Sequence, residues 1–187
     1  MLPDIFDPKY TIAIVGNAGN EIGKQKGKVI DSFDCVVRFN NYSIDEKYRA
    51  DYGKYTFAWC CTFWSDTDYR NKTGYDHVFC PMPMQDEKWI KHFGSVNHEA
   101  LKHYNAICIP LELYEELLKN IESPSSGLAF VWWMYKVRGY MDWNSIFGFS
   151  FFDKQYPHHY SDNDQKTGNH HNEQERNLIA RMVKKEI

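Results

Sequence analysis

The chain has no long hydrophobic run. Its longest strongly apolar stretch, residues 127–134, is far short of the roughly 20 residues needed to cross a bilayer. The first eight residues, Met-Leu-Pro-Asp-Ile-Phe-Asp-Pro, contain no basic segment leading into an apolar one, so a signal peptide is not expected. Cysteine is sparse and odd in number, five in all, with no CxxC pair. A disulfide scaffold or zinc ribbon is therefore not expected, and Cys35, Cys60, Cys61, Cys80 and Cys108 read as cytosolic thiols, several of them small core residues. Excess positive charge is also missing. With 22 Lys and Arg against 25 Asp and Glu, the net charge is −3, and no electrostatic case exists for nucleic acid as the main partner. Internal repeats, low-complexity tracts and linkers are absent, so 187 residues read as one domain, 1–187. What the chain does have is an ordinary globular mix, 43% hydrophobic and 25% charged, which excludes a disordered chain. Aromatics reach 17%, enough for a ring-rich core and for rings lining a cleft.

Short β-branched runs alternate with helical or loop segments. Strands are expected at 10–15, 34–39, 55–60, 76–80, 106–109 and 144–149. Over residues 21–30, Gly23 and Gly27 weaken any helix. Residues 87–104 are helical in part. Helices are expected over about 112–120, over an apolar segment opened by Ser123-Pro-Ser-Ser-Gly127, and over 173–186. The pattern predicts an α/β fold with a mainly parallel sheet, whose ligands bind where loops converge at the carboxyl ends of the strands.

Three segments carry chemistry. In Val15-Gly-Asn-Ala-Gly-Asn20 the glycines follow a strand, where backbone can approach a ligand and expose N–H groups to phosphate or ribose. The asparagines can both donate and accept. The strict GxGxxG spacing is missing, and a plain turn is the competing reading. Pro124-Ser-Ser-Gly127 opens a helix, whose positive end suits an anion or simply carries an N-cap. Four of the eight histidines, His158, His159, His170 and His171, fall within 14 residues. They fit a metal site, acid–base catalysis, or a solvated polar loop. No HExxH accompanies them. Asp66-Thr-Asp68 and Asp162-Asn-Asp164 have the form of cation-holding triplets, a form common by chance.

Taken in order, these segments resemble the sialyltransferase family of animal Golgi enzymes and its bacterial, viral and plant relatives. The family's large motif is similar to Ile14-Val-Gly-Asn-Ala-Gly-Asn20 with Gly23, Gly27, Ile30-Asp31 and Arg38-Phe-Asn40. Its small motif resembles Pro124-Ser-Ser-Gly127 and Phe147-Gly-Phe-Ser150. Its third motif is similar to His159-Tyr160 with Asp162, and its last to His170 and Glu175. The likeness is collinear over residues 12–175. Residues 41–123 match nothing nameable and are where acceptor contacts are expected.

The resemblance implies a GT-A-like, Rossmann-like nucleotide-binding domain. It also implies an inverting, metal-independent transfer of sialic acid, or a related ulosonic acid such as Kdo, from its CMP conjugate to a glycan or lipid-linked oligosaccharide. No cofactor is implied beyond that co-substrate. His170 is the expected general base, since an imidazole ordinarily has a pKa of about 6.5, and His159 the group that stabilises the leaving phosphate. Asn17, Asn20, Asn40, Ser125, Ser126 and Gly127 are the expected donor contacts, supported by Glu175, set to orient His170, and by Tyr160. The family's bridging cysteines would fall at Ile12 and Met141, and its membrane anchor has no counterpart. Both departures imply a bacterial or viral enzyme that is cytoplasmic, at most peripheral to an inner membrane. The rival readings are a catalytically inactive CMP-binding module and a zinc hydrolase built on the four clustered histidines.

Overall fold

The computed structural model describes residues 4–71, 74–150, 156–157, 159–161 and 172–187. Six strands among them form one all-parallel sheet: β1 (Ile12–Val15), β2 (Cys35–Phe39), β3 (Ala58–Cys60), β4 (His77–Cys80), β5 (Ile107–Cys108) and β6 (Ile146–Phe147). The order is β5-β4-β3-β2-β1-β6. The α/β class and the parallel sheet expected from the alternation are thus observed. Every residue of β1, β2 and β3 is buried, as parallel strands covered on both faces require.

Alternation along the strands sorts side chains into two layers. Ile12, Ile14, Cys35, Val37, Phe39, Ala58, Cys60 and Phe79 face α5 (Leu111–Leu118), α6 (Ser126–Arg138) and α7 (Asn172–Val183). On the opposite face, Ala13, Val15 and Val36 pack with Ile30 of α1 (Gly27–Ile30) and Tyr52 of α2 (Glu46–Tyr52). Farther along that face, Trp59, Val78 and Cys80 meet Leu101 of α4 (His98–His103). The helix α3 (Glu87–His92) contributes Trp89 to the first layer. Buried nearly all round, α6 begins at the N-cap Ser125 and ends at Gly139, whose φ of 75° gives the left-handed C-cap.

The structure adds to or departs from the sequence reading in three places. Residues 21–30 do not form one helix: Gly23 (φ 82°) and Gln25 (φ 55°) break it, leaving a 3-10 turn at Gly19–Glu21 and the single turn α1. The last strand is only Ile146–Phe147. Asp142 caps a 3-10 turn at Trp143–Ser145 ahead of it, and Gly148 turns the chain at φ 67°. Helix α2 was not expected at all. Met141 and Ile12, the positions that stand for the family's bridge, do lie together: both line one cavity of about 60 Å³.

The cysteines are free thiols. Burial pushes Cys35 and Cys61 up to about 12 and Cys60 well above its ordinary value. Cys108 is only half-buried, and the hydrogen bond from Cys80, its register partner across β4 and β5, draws its pKa below the ordinary value. Ellman's reagent should therefore modify Cys108 first in the folded protein, because the thiolate is the nucleophile. Peptide mapping after brief labelling checks this; early label on Cys35, Cys60 or Cys61 would contradict it.

Candidate functional site

In the strand order, the neighbours of β1 are β2 on one side and β6 on the other, so the connections diverge there. Such a switch point opens a crevice outside the carboxyl ends of the strands. A cleft of about 160 Å³ lies at that point. Gly16, Asn40 and Gly148, the residues that directly follow β1, β2 and β6, line it, and the N-terminus of α6 closes one side.

Glycine is needed here for close approach. A Cβ on Gly16 would lie 2.5 Å from the Gly148 carbonyl, and one on Gly148 would lie 2.4 Å from the Gly16 carbonyl. Gly127 in the first turn of α6 has the same constraint against a ring: a Cβ would lie 2.4 Å from Phe149. Phe149 also meets Phe39 edge-on at 6.0 Å, and both rings form the apolar wall of the cleft.

Asn17 lines the cleft and is held by its Nδ2, which donates to the Phe39 carbonyl at 3.0 Å. Its Oδ1 is buried without a partner. A buried acceptor left open costs free energy unless a ligand satisfies it. Asn40 sits at φ 43°, a conformation asparagine tolerates better than most residues. Its Oδ1 accepts from the Thr62 amide and hydroxyl at 3.0 and 3.1 Å, which leaves Nδ2 as its donor toward the cleft.

At the α6 terminus Ser125, Ser126, Gly127 and Glu175 all line the cleft. Ser125 Oγ accepts from the Leu128 amide at 3.2 Å and donates to Glu175 at 2.8 Å, and its own N–H donates to Glu175 at 2.6 Å. Its donors are thus spent inside the protein. The amides of Ser126 and Gly127 come next in the first turn, where no intrahelical acceptor exists, and both residues line the cleft. Glu175, 2% exposed, engages Ser125 through both carboxylate oxygens and so ties α7 to the start of α6. Glu175→Ala leaves the half-buried Ser125 amide without its acceptor, a loss of about 1 kcal/mol. It should lower the melting temperature and weaken CMP binding together, with Glu175→Gln recovering part of both; thermal denaturation and calorimetry read the two effects. Unchanged CMP affinity in the alanine variant would show that the tie is irrelevant to the cleft.

His159 lines the cleft. It is carried by a segment bound to the Gly16 loop through its backbone: Gly19 N–H donates to the Pro157 carbonyl at 2.9 Å, and Tyr160 N–H to the Asn17 carbonyl at 2.8 Å. Tyr160 does not line the cleft. Its ring is buried and stacks on Tyr52 at 4.0 Å and 17°, while its hydroxyl accepts from the Ser43 amide at 3.0 Å. Burial raises its pKa, so it remains a neutral anchor. Asn20 does not line the cleft either; its Nδ2 donates to Glu21 at 2.9 Å. His170, together with His158, His171, Asp162 and Asp164, lies outside the described residues.

Asp66 and Asp68 are held by their backbones to the Asn41 side chain and do not line the cleft. Among the described residues, no group of three His, Cys, Asp or Glu is placed to hold a metal ion. No described helix is long and apolar enough to cross a membrane. The sequence reading missed Phe39, Phe149 and Thr62 as parts of the site. The two phenylalanines stood inside the quoted motifs, but their place on the wall comes from strand ends that meet only in the sheet.

Residues 7–113 match the model of glycosyltransferase family 29 (sialyltransferase). That span carries Asn17, Asn20 and Asn40 and stops short of Ser125, His159 and Glu175. No curated protein sequence matches the chain. Two solved structures share the fold. A mammalian sialyltransferase in complex with Gal-beta-1-3GalNAc-ortho-nitrophenol aligns at a TM-score of 0.60 with 18% identity, over 98% of this chain and 71% of that one. A second mammalian sialyltransferase structure aligns at 0.60 with 20% identity, over 94% of this chain and 66% of that one. The family match covers more than half of the sequence, includes most of residues 41–123 where no likeness was read from the motifs, and carries the β1 and β2 side of the cleft, and on that ground the chain belongs to glycosyltransferase family 29, the sialyltransferases, as a CMP-sugar-dependent glycosyltransferase.

Proposed function

We propose that the protein transfers sialic acid from CMP-sialic acid to a glycan hydroxyl, with inversion at the anomeric carbon and without a metal ion. The observation that carries this reading is the cleft itself: open first-turn amides of α6, an unsatisfied Asn17 oxygen, the Asn40 donor and His159 converge at the switch point of the sheet. The first-turn amides of Ser126 and Gly127 suit a phosphate or the sugar carboxylate. Asn17 and Asn40 offer one acceptor and one donor to the nucleotide.

The reaction forms one bond and breaks one. The acceptor oxygen attacks the anomeric carbon from the side opposite CMP, the bond from that carbon to the phosphate oxygen breaks, and the acceptor proton passes to a base. His170, five residues ahead of Glu175, takes that role by the motif it resembles. A positioned base contributes roughly 10²–10⁴-fold. His159 donates to the phosphate as its charge grows. A monophosphate leaving group carries less charge than a diphosphate, and these donors suffice in place of a cation.

Release of CMP tests the reading, with CMP-sialic acid and CMP-Kdo compared, with and without EDTA and a glycan acceptor. The expected result is acceptor-dependent release from CMP-sialic acid that survives EDTA. Release from CMP-Kdo alone would move the donor assignment. CMP binding without release from either donor would support the inactive module, and loss with EDTA would overturn metal independence. Asn40→Ala should weaken CMP binding about tenfold, the value of one lost hydrogen bond; full affinity would place the nucleotide elsewhere.

A further inference from the structure

Cys61, Cys80 and Cys108 belong to one apolar layer of the sheet. Cys80 ends β4, Cys108 ends β5, and the two are register partners in the parallel pairing. Register partners in a sheet put their side chains on the same face. Neighbouring strands lie about 4.8 Å apart, which falls within the roughly 4.4–6.8 Å between Cα atoms that a disulfide spans. The Cys80 and Cys108 thiols are already in hydrogen-bonding contact. Cys61 is engaged elsewhere: its Sγ meets the Thr67 hydroxyl at 3.9 Å and accepts from the Phe63 amide at 3.2 Å.

The two partners differ in access and in charge. Cys80 is 0% exposed, and burial raises its pKa well above the ordinary value. Cys108 is half-buried on the last strand of the sheet. The bond from Cys80, aided by the Met84 amide, holds its pKa below the ordinary value against the opposing effect of burial. A small oxidant therefore meets Cys108 first, and the thiolate is the form that reacts.

We propose that Cys80 and Cys108 are a redox pair, in which a hydroperoxide oxidises Cys108 and Cys80 resolves it by closing a disulfide between β4 and β5. In the first step the Cys108 sulfur attacks a peroxide oxygen and the O–O bond breaks. Cys108 becomes a sulfenic acid, and the departing hydroxide takes up the proton that Cys108 gave on ionising. In the second, the Cys80 sulfur attacks the Cys108 sulfur, the S–O bond breaks, and the leaving hydroxide carries off the Cys80 proton as water. With hydrogen peroxide, two thiols thus give one disulfide and two waters, and the two electrons lost by sulfur reduce the peroxide. The bridge ties β5, a strand of two residues with one neighbour in the sheet, to β4, and it closes the segment that carries α3 and α4. Neither cysteine lines the cleft, so the inference does not depend on the donor assignment.

Peptide mapping tests it. The reduced protein is treated with a small excess of hydrogen peroxide, and the remaining thiols are alkylated with iodoacetamide under denaturing conditions. The expected product links Cys80 to Cys108, reverts with dithiothreitol, and leaves Cys35, Cys60 and Cys61 alkylated. The oxidised protein should melt about 5–10 °C higher than the reduced one. Cys80→Ala should leave Cys108 as a sulfenic acid that dimedone traps, and Cys108→Ser should leave Cys80 reduced at the same dose of peroxide. Circular dichroism and CMP affinity of both variants should match the parent. If Cys80→Ala fails to fold, the parent and Cys108→Ser still decide the matter. A parent protein in which Cys108 stays reduced, or is oxidised without a link to Cys80, overturns the proposal. So does a link from Cys108 to any other cysteine.

Discussion

Arg38→Met should be among the most destabilising single substitutions in this protein, at about 3–5 kcal/mol, the range for removing one partner from a buried charged network. Arg38 is 0% exposed. Its Nε donates to the Tyr55 carbonyl and the Thr56 hydroxyl at 3.0 and 3.1 Å, and Nη2 donates to the Tyr52 carbonyl at 2.8 Å. Asp31 lies 4.0 Å away and itself caps the amides of Lys54 and Tyr55. One guanidinium thus holds the turn between α2 and β3. Burial lowers its pKa, but guanidinium stays charged in proteins. The effect should reach the cleft, because Tyr52 stacks on Tyr160 and Tyr160 anchors Asn17. Urea denaturation measures the loss, and Arg38→Lys, which keeps one donor group, should fall between. A loss below about 1 kcal/mol, the scale of a single ordinary hydrogen bond, would show that the network is dispensable.

His170→Ala should produce the largest kinetic effect, a fall in transfer of about 10²–10⁴-fold with CMP affinity kept within a few-fold. The reasoning is chemical. The acceptor hydroxyl must lose its proton as the glycosidic bond forms, and an imidazole titrating near neutrality can take it without being locked in the protonated state. His159→Ala is expected to act differently, weakening stabilisation of the departing phosphate. The two effects separate when donors with better and poorer leaving groups are compared: the His159 variant should recover with the better one and the His170 variant should not. Unchanged turnover of His170→Ala would remove it as the base and direct attention to His158 or His171.

Much of the strand pattern was legible because parallel strands buried on both faces read as continuous apolar runs, as in Ile12–Val15 and Cys35–Phe39. The start of α6 was legible because a capping serine ahead of an apolar segment has a local cause. Helix α2 was not: Glu46–Tyr52 offers only Tyr48 and Tyr52 as an apolar pair, and it is held by those two rings against Tyr160 and by Gly27 fitting under the Arg49 carbonyl. The strand expected at 144–149 shrank to Ile146–Phe147 because turn chemistry at Asp142 and Gly148 overrode the apolar pattern.

For the site, the order and spacing of residues already named Asn17, Asn40, Ser126, Gly127 and His159, since motifs are local strings and their likeness survives without coordinates. The roles behind them were set elsewhere. That Glu175 holds Ser125, 50 residues away, that Tyr160 is an anchor behind the wall, and that Asn20 turns from the cleft to Glu21 follow from contacts between distant segments. A sequence displays which groups are available and which local turns they favour. The partner each group finds depends on the sheet order, which sets β6 beside β1 and so brings Gly148, Gly16 and the α6 terminus around one opening.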